Sequence, residues 1–354
     1  MTQRTRRRTG LSLGIVLGLT GLAVAGTPAF GAPSASKPIP TVTLMVGGID
    51  KQIYLPYQLA QGLGMYKKYG VKVELSTEAN GGVGAEDAMA SGQVDMAGAW
   101  YTHTIDFQTK GKDVVDIVQL SGAPGEREMC ATGSNVKTAS DWKGQSVGVT
   151  DLGSGTDDLT LYMAAKAKLT TQDFTRVGVG AGSTFVAALQ HQKIVCGMTS
   201  QPTVSAIEKQ HIGYSMIDLS STAGAVAALG GAYPAASVLV LRSWLDTHQV
   251  AAQRVVDALV ATMHYIATHS ALDIANHMPA DFVSNDLVTK ADYVSALAQD
   301  KGQFLANGIM PKGGPATVLS ILKFAGKVTG PVDLAKTFTN KYALAALKLE
   351  HLKP

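Results

Sequence analysis

Between residues 41 and 241, short β-rich runs alternate with stretches of helical spacing, and the whole series occurs twice around a central loop. Strand-like runs fall at Thr41–Val46, Val71–Leu75, Val94–Gly98 and Val114–Leu120. Between the first two, Leu55, Leu59, Leu63 and Tyr66 recur at helical spacing, with Pro56 near the start and Gly70 at the stop. After the loop Ser121–Glu128 the plan restarts, with runs at Glu128–Thr132, Gln145–Thr150, Arg176–Gly180, Ile194–Met198 and Tyr214–Leu219. A Gly/Ala-rich passage, Ala223–Ala236, leads into Ser237–Leu241, and beyond Trp244 the chain reads as helices alone. Repeated β-α-β units imply mostly parallel sheets flanked by helices. The expected architecture is therefore α/β with two lobes. The first spans 41–125 and the second 126–225, with a return to the first over 226–354 as a helical tail. At 354 residues the chain is long enough for both cores.

The segment ahead of residue 41 has a different character. Residues 1–31 read as a signal peptide, with a basic stretch from Met1 to Arg8 and an apolar run from Leu11 to Ala25 that is short for a membrane span. Small residues place the cut after Ala25, Gly31 or Ala32, and 32–40 is a Pro/Ser-rich linker. Arg7-Arg8 leaves the twin-arginine route open beside the general one. An exported, periplasmic protein is expected. Without Arg4, Arg6, Arg7 and Arg8 the formal net charge falls from +3 to −1, so the clustered positive charge needed for a nucleic-acid partner is missing. Export makes a disulfide between Cys130 and Cys196 chemically feasible. The sequence leaves open whether they pair or are two small buried hydrophobes.

Several chemistries lack their residues. None of the eight histidines forms an HExxH or similar metal-ligand pair, and neither a GxSxG elbow nor a GxxxxGK[ST] loop occurs. Gly178-Val-Gly180-Ala-Gly182-Ser183 lacks the last glycine of a dinucleotide fingerprint, so no cofactor is expected. Asp157-Asp158 suits the first turn of a helix better than a pair of catalytic acids. Three glycine-rich turns remain: Asn80–Asp87, Asp151–Asp158 and Gly180–Thr184. Each offers backbone N–H groups at a helix start, beyond the carboxyl end of a strand, where open α/β sheets hold ligands. Ser183 is expected to cap its helix; Ser154 and Thr156 are expected to cap and also to touch ligand.

Four stretches carry a family resemblance. Ile53–Leu75, Gly81–Trp100, Asp141–Leu159 and Ala187–Pro202 resemble, in order and spacing, the nitrate/sulfonate/taurine-type (NitT/TauT) substrate-binding proteins of ABC importers. The fourth departs from the pattern, with His191-Gln192-Lys193 where Ser/Gly-Gly is usual and Cys196 where Asp is usual. The resemblance implies a type II periplasmic-binding-protein fold, two hinge crossings and a ligand between the lobes. It implies as partners a small organic molecule (sulfonate-, taurine- or carboxylate-like) and an inner-membrane permease, with the protein a monomer and not an enzyme. By position the gap would be lined by Gly48, Ile49, Asp50, Tyr54, Asn80, Gly81, Gly82, Trp100, Tyr101 and Thr102 from the first lobe. The second would contribute Gly153, Ser154, Gly155, Thr156, Ser200 and Gln201. Trp100 and Tyr101 have a plainer alternative as core or surface aromatics, and Arg127 either pairs with an anionic ligand or is solvated in the hinge. Asp50 would oppose a purely anionic ligand or bind an amine. Exchange of Ser154 and Thr156 for alanine is expected to weaken ligand binding without lowering the melting temperature. The alternative function is an enzyme of the same fold, related to synthesis of the thiamine pyrimidine; such enzymes use a buried lysine or histidine and a cysteine-rich motif, which the sequence does not reveal. A sensor partner would use the same gap.

Overall fold

The computed structural model describes residues 38–78 and 81–354. The expected signal peptide, all of the linker before Pro38, and Asn80 lie outside the described residues. Burial along each strand tells how far the rest of the chain covers it. Every residue of Met96–Trp100 is buried, as is every residue of Val114–Gln119, whereas Lys72–Thr77 has exposed positions throughout. Met96–Trp100 is covered by strands on both sides, Val114–Gln119 is an edge strand covered by packed helices, and Lys72–Thr77 is an edge left open.

Naming the strands in chain order, β1 is Thr41–Val46, β2 Lys72–Thr77, β3 Met96–Trp100, β4 Val114–Gln119 and β5 Glu126–Ala131. There follow β6 Ser146–Val149, β7 Thr175–Gly178, β8 Cys196–Ser200, β9 Gly213–Leu219 and β10 Ala236–Leu241. They form two five-stranded sheets, β2-β1-β3-β10-β4 and β7-β6-β8-β5-β9. The two orders are the same plan. In each, the fourth position is taken by a strand that arrives from the other lobe, β10 or β5. Because it arrives from there, it runs antiparallel to both neighbours. The other four strands of each sheet run parallel to one another, so the sheets are mostly parallel, as expected, and are made mixed by the one strand that crosses between lobes.

The crossings are bonded to each other. Leu120 and Ser121 donate to the Ala236 carbonyl, Ala236 N–H donates to Ser121 Oγ at 3.0 Å, and Gly125 N–H donates to Leu219 O. Cys130 and Cys196, register partners on β5 and β8, form a disulfide. Strand β3 runs to Trp100, two residues past the expected Gly98, and begins at Met96. Asp95 precedes the ladder and accepts hydrogen bonds from Thr43 N, Thr43 Oγ1 and Trp244 Nε1.

The tail covers β4, whose Asp116 bridges Phe338, and the helix Gln249–Thr268 packs on the helix Leu55–Gly62. It also reaches the second sheet. Leu287 packs on the apolar cluster around Phe185 and Ile207, and Asp292 pairs with Lys209 at 2.7 Å. No helix among the described residues is long and apolar enough to cross a membrane.

Candidate functional site

The turn after β6 is organised by its own hydroxyls. Ser154 caps the helix Gly155–Lys166, its Oγ accepting from Asp157 N at 3.4 Å. Thr150, Ser154 and Thr156 hydroxyls lie 2.8–3.0 Å from one another, and Thr150 N–H donates to Thr156 Oγ1 at 3.0 Å. Asp157 accepts from Gly153 N and pairs with Arg176 at 2.6 Å; Asp158 pairs with Lys327 at 3.0 Å. At the turn after β7, by contrast, Ser183 is the first helical residue and Gly182 occupies the cap position with φ +66°. Ser183 therefore does not cap. The Gly182 N–H is held instead by Thr203 Oγ1 at 2.8 Å.

The gap between the sheets has two parts. An outer cleft of about 820 Å³ is lined by Gly48, Ile49, Asp50, Lys51 and Thr77 on one side, and by Thr150, Asp151, Gly178–Ala181 and Thr184 on the other. Phe282, from the tail, supplies a third wall. The inner part is a void of about 10 Å³ lined by Lys51, Ile53, Tyr54, Gly82, Trp100, His103 and Glu126 against Thr150, Ser154, Gly155 and Thr156. Lys51 and Thr150 belong to both, so the void is the inner end of one gap. Trp100 closes it. A Cβ at Gly155 would lie 2.0 Å from the indole ring, so only glycine permits this approach. Trp100 also meets Tyr233 edge-on at 6.1 Å. Gly81, with φ +100°, faces Thr150 from the first lobe.

The void concentrates buried charge. Burial lowers the Lys51 pKa although Glu126 and Asp50 pull the other way; its Nζ donates to Gly47 O at 2.8 Å. Burial raises Glu126 to about 7 against the opposing influence of Lys51 and Arg127. For His103 burial works downward, but Glu86 at 3.0 Å and Asp106 at 3.6 Å prevail and raise it to about 10. Burial likewise lifts Asp158 to about 7.

Other expected gap residues have different partners. Tyr101 turns into the core, its hydroxyl 2.6 Å from Thr337 Oγ1 and its ring edge-on to Phe338. Its predicted place in the gap is corrected accordingly. Thr102 donates to Asp158 at 3.3 Å, joining the lobes. Arg127 is neither solvated nor free for an anion: it forms two 2.8 Å bonds to Asp300 and one of 3.1 Å to Asp218. Gln201 accepts from Ser205, and its carbonyl accepts from Gln52 N across the gap at 3.0 Å. Ser200 is buried beside Glu126 in register, its hydroxyl without a partner among the described residues.

Lys51, Glu126, His103, Thr150, Asp151 and Phe282 were not among the expected gap residues. Thr150 and Asp151 could have been found, because they begin the glycine-rich turn. Phe282 lies in the tail with no local signal. Lys51 and His103 supply the buried lysine and histidine that the sequence did not reveal. The cysteine-rich motif has no counterpart, since both cysteines of the chain are in the disulfide.

Residues 53–271 match the family model described as NMT1/THI5 like. A comparison with curated proteins finds no match. Among solved structures, a protein from Bordetella bronchiseptica RB50 is similar with a TM-score of 0.81 at 28% identity, covering 88% of this chain and 98% of that one. The periplasmic nitrate-binding protein of Synechocystis PCC 6803 follows with 0.70 at 15%, covering 87% and 88%. The alkanesulfonate-binding protein of Xanthomonas axonopodis pv. citri, bound to MOPS, gives 0.68 at 15%, covering 86% and 99%. A desulfurization enzyme has the fold as well, with a TM-score of 0.61 at 14% identity, covering 87% and 99%. With the family matched over most of the chain and the fold shared with solved relatives over nearly all of their length, this chain belongs to the NMT1/THI5-like family and has the type II periplasmic-binding-protein fold.

Proposed function

We propose that the protein is the exported, periplasmic substrate-binding component of an ABC importer, working as a monomer. It captures a small organic compound bearing a sulfonate or carboxylate, with or without an amine as in taurine, and delivers it to a membrane permease. The observation that supports this best is the outer cleft of about 820 Å³, walled by turns of both lobes that the chain links by the crossings from β4 to β5 and from β9 to β10. A ligand touching both walls stabilises the closed form by its differential affinity for that form. The residues proposed to meet it are Gly48, Ile49 and Asp50 with Lys51 on one wall, and Thr150, Asp151 and the turn Gly180–Thr184 on the other. Lys51 supplies the positive charge for the acid group, and the two aspartates favour an amine elsewhere on the molecule.

Thermal-shift screening of the mature protein against sulfonates, carboxylates and vitamin precursors tests this, followed by calorimetry on any compound that shifts it. At a ligand concentration of about 100 times Kd, stabilisation of about 2.7 kcal/mol is expected. Stoichiometric heat with the compound recovered unchanged supports binding. Conversion to a product would instead favour the enzyme alternative, which the buried Lys51 and His103 in one void keep in play.

A further inference from the structure

The inner void holds an acid that the protein does not itself satisfy. Glu126 is 1% exposed, and its Oε2 accepts no hydrogen bond among the described residues. Lys51 faces the same void but gives its Nζ to Gly47 O and forms no ion pair with Glu126 among the described residues. A buried carboxylate without a partner is costly. A void of about 10 Å³ admits about one water. Anything larger enters only with the lobes apart. Separation would lift Gly155 off Trp100 and uncover an indole face beside Glu126. A carboxylate next to an indole is a setting for a cation. Passing inward from the outer cleft, a ligand meets the Lys51 ammonium at the neck and the Glu126 carboxylate beyond it.

We propose that Glu126 determines the specificity of the gap by receiving the ammonium of a small zwitterion whose sulfonate or carboxylate stops at Lys51. The proposal rests on the binding function given above. A cation seated there holds Glu126 ionised and gives its free oxygen a donor.

Two ligand pairs differ by the ammonium alone: taurine with ethanesulfonate, and β-alanine with propionate. In calorimetric titrations of the wild-type protein, the amine-bearing member of at least one pair is expected to bind about tenfold more tightly or better, the range of a hydrogen bond to a charged group. Glu126→Gln is expected to bring the two members within about twofold, leaving the amine-free one unchanged. Glu128→Gln alters a neighbouring buried acid on the same strand, outside the void, and is expected to retain the preference. Equal binding of both members by the wild type overturns the role of Glu126 and leaves the binding function standing; the same holds if Glu128→Gln abolishes the preference too. Should Glu126→Gln not fold, Asp50→Asn and Asp151→Asn decide: a preference lost in either places the ammonium in the cleft and overturns the role of Glu126, and a preference kept in both supports it. Binding of no member of either pair overturns the proposal, and the binding function then stands or falls on the wider screen.

Discussion

The outer cleft and the inner void are two ends of one gap, built by the same two lobes, and they differ in almost every physical respect. The cleft is roomy and lined largely by backbone and small side chains; the void is nearly shut and lined by two aromatic rings and several buried charges. Volume alone would place all function in the cleft. The proposed selectivity rests instead on charge in the void, where low dielectric strengthens each interaction and an unmet partner costs most. Lys51 and Thr150, which line both, mark where the one passes into the other.

The sharpest way to break the comparison is Gly155→Val. Its Cβ would overlap the Trp100 ring, so the lobes are expected to stay apart. A larger radius of gyration in small-angle scattering should appear, with a stability loss of about 3 kcal/mol, the upper end for overpacking. An unchanged radius would show that Trp100 simply swings aside.

Smaller is the effect of replacing Ser154 and Thr156 by alanine. The hydroxyl triad with Thr150 is buried and internally bonded, so the pair is structural as well as adjacent to the void. A loss of about 2 kcal/mol in urea denaturation is expected, from one cap and one buried hydrogen bond. That replaces the expectation of an unchanged melting temperature. Wild-type stability in the double variant would remove the triad from the account.

Of similar size, but spread over two pH units, is a pH slope. Glu126 holds its proton up to about 7 in the folded chain, while the unfolded chain releases it near the ordinary value of about 4.3. Its contribution is therefore full below about pH 4 and is lost as pH rises toward 7, with a slope of at most about 1.4 kcal/mol per pH unit. Measured at about pH 5 and pH 7, Glu126→Gln should gain stability relative to wild type as pH rises. Asp50→Asn, on the exposed wall of the cleft, should stay within about 0.5 kcal/mol at both. A parallel slope in Glu126→Gln and wild type would show that Glu126 titrates normally.

Local rules made much of the frame legible. Period-two and helical spacings give β2 and the helix Leu55–Gly62, because a side chain's face depends on its immediate neighbours in sequence. The glycine-rich turns were visible for the same reason: glycine and hydroxyl residues at a helix start announce unpaired N–H groups wherever the chain goes. Other features depended on distant partners. Arg127 looked free until Asp300, 173 positions on, met it in a two-pronged bond. Tyr101 looked like a gap residue until the tail brought Thr337 and Phe338 to it.

What the sequence determined by itself was the doubled β-α-β plan, the helical tail, the near-neutral body and the glycine-rich turns, all of which follow from local pattern and composition. Only the tertiary structure decided that each sheet borrows an antiparallel strand from across the crossings, that the two cysteines are bonded, and that Trp100 seals an acid and a lysine into one void. Those outcomes depend on which surfaces meet, and a buried charge differs from a solvated one only through the dielectric and the partners that folding places around it.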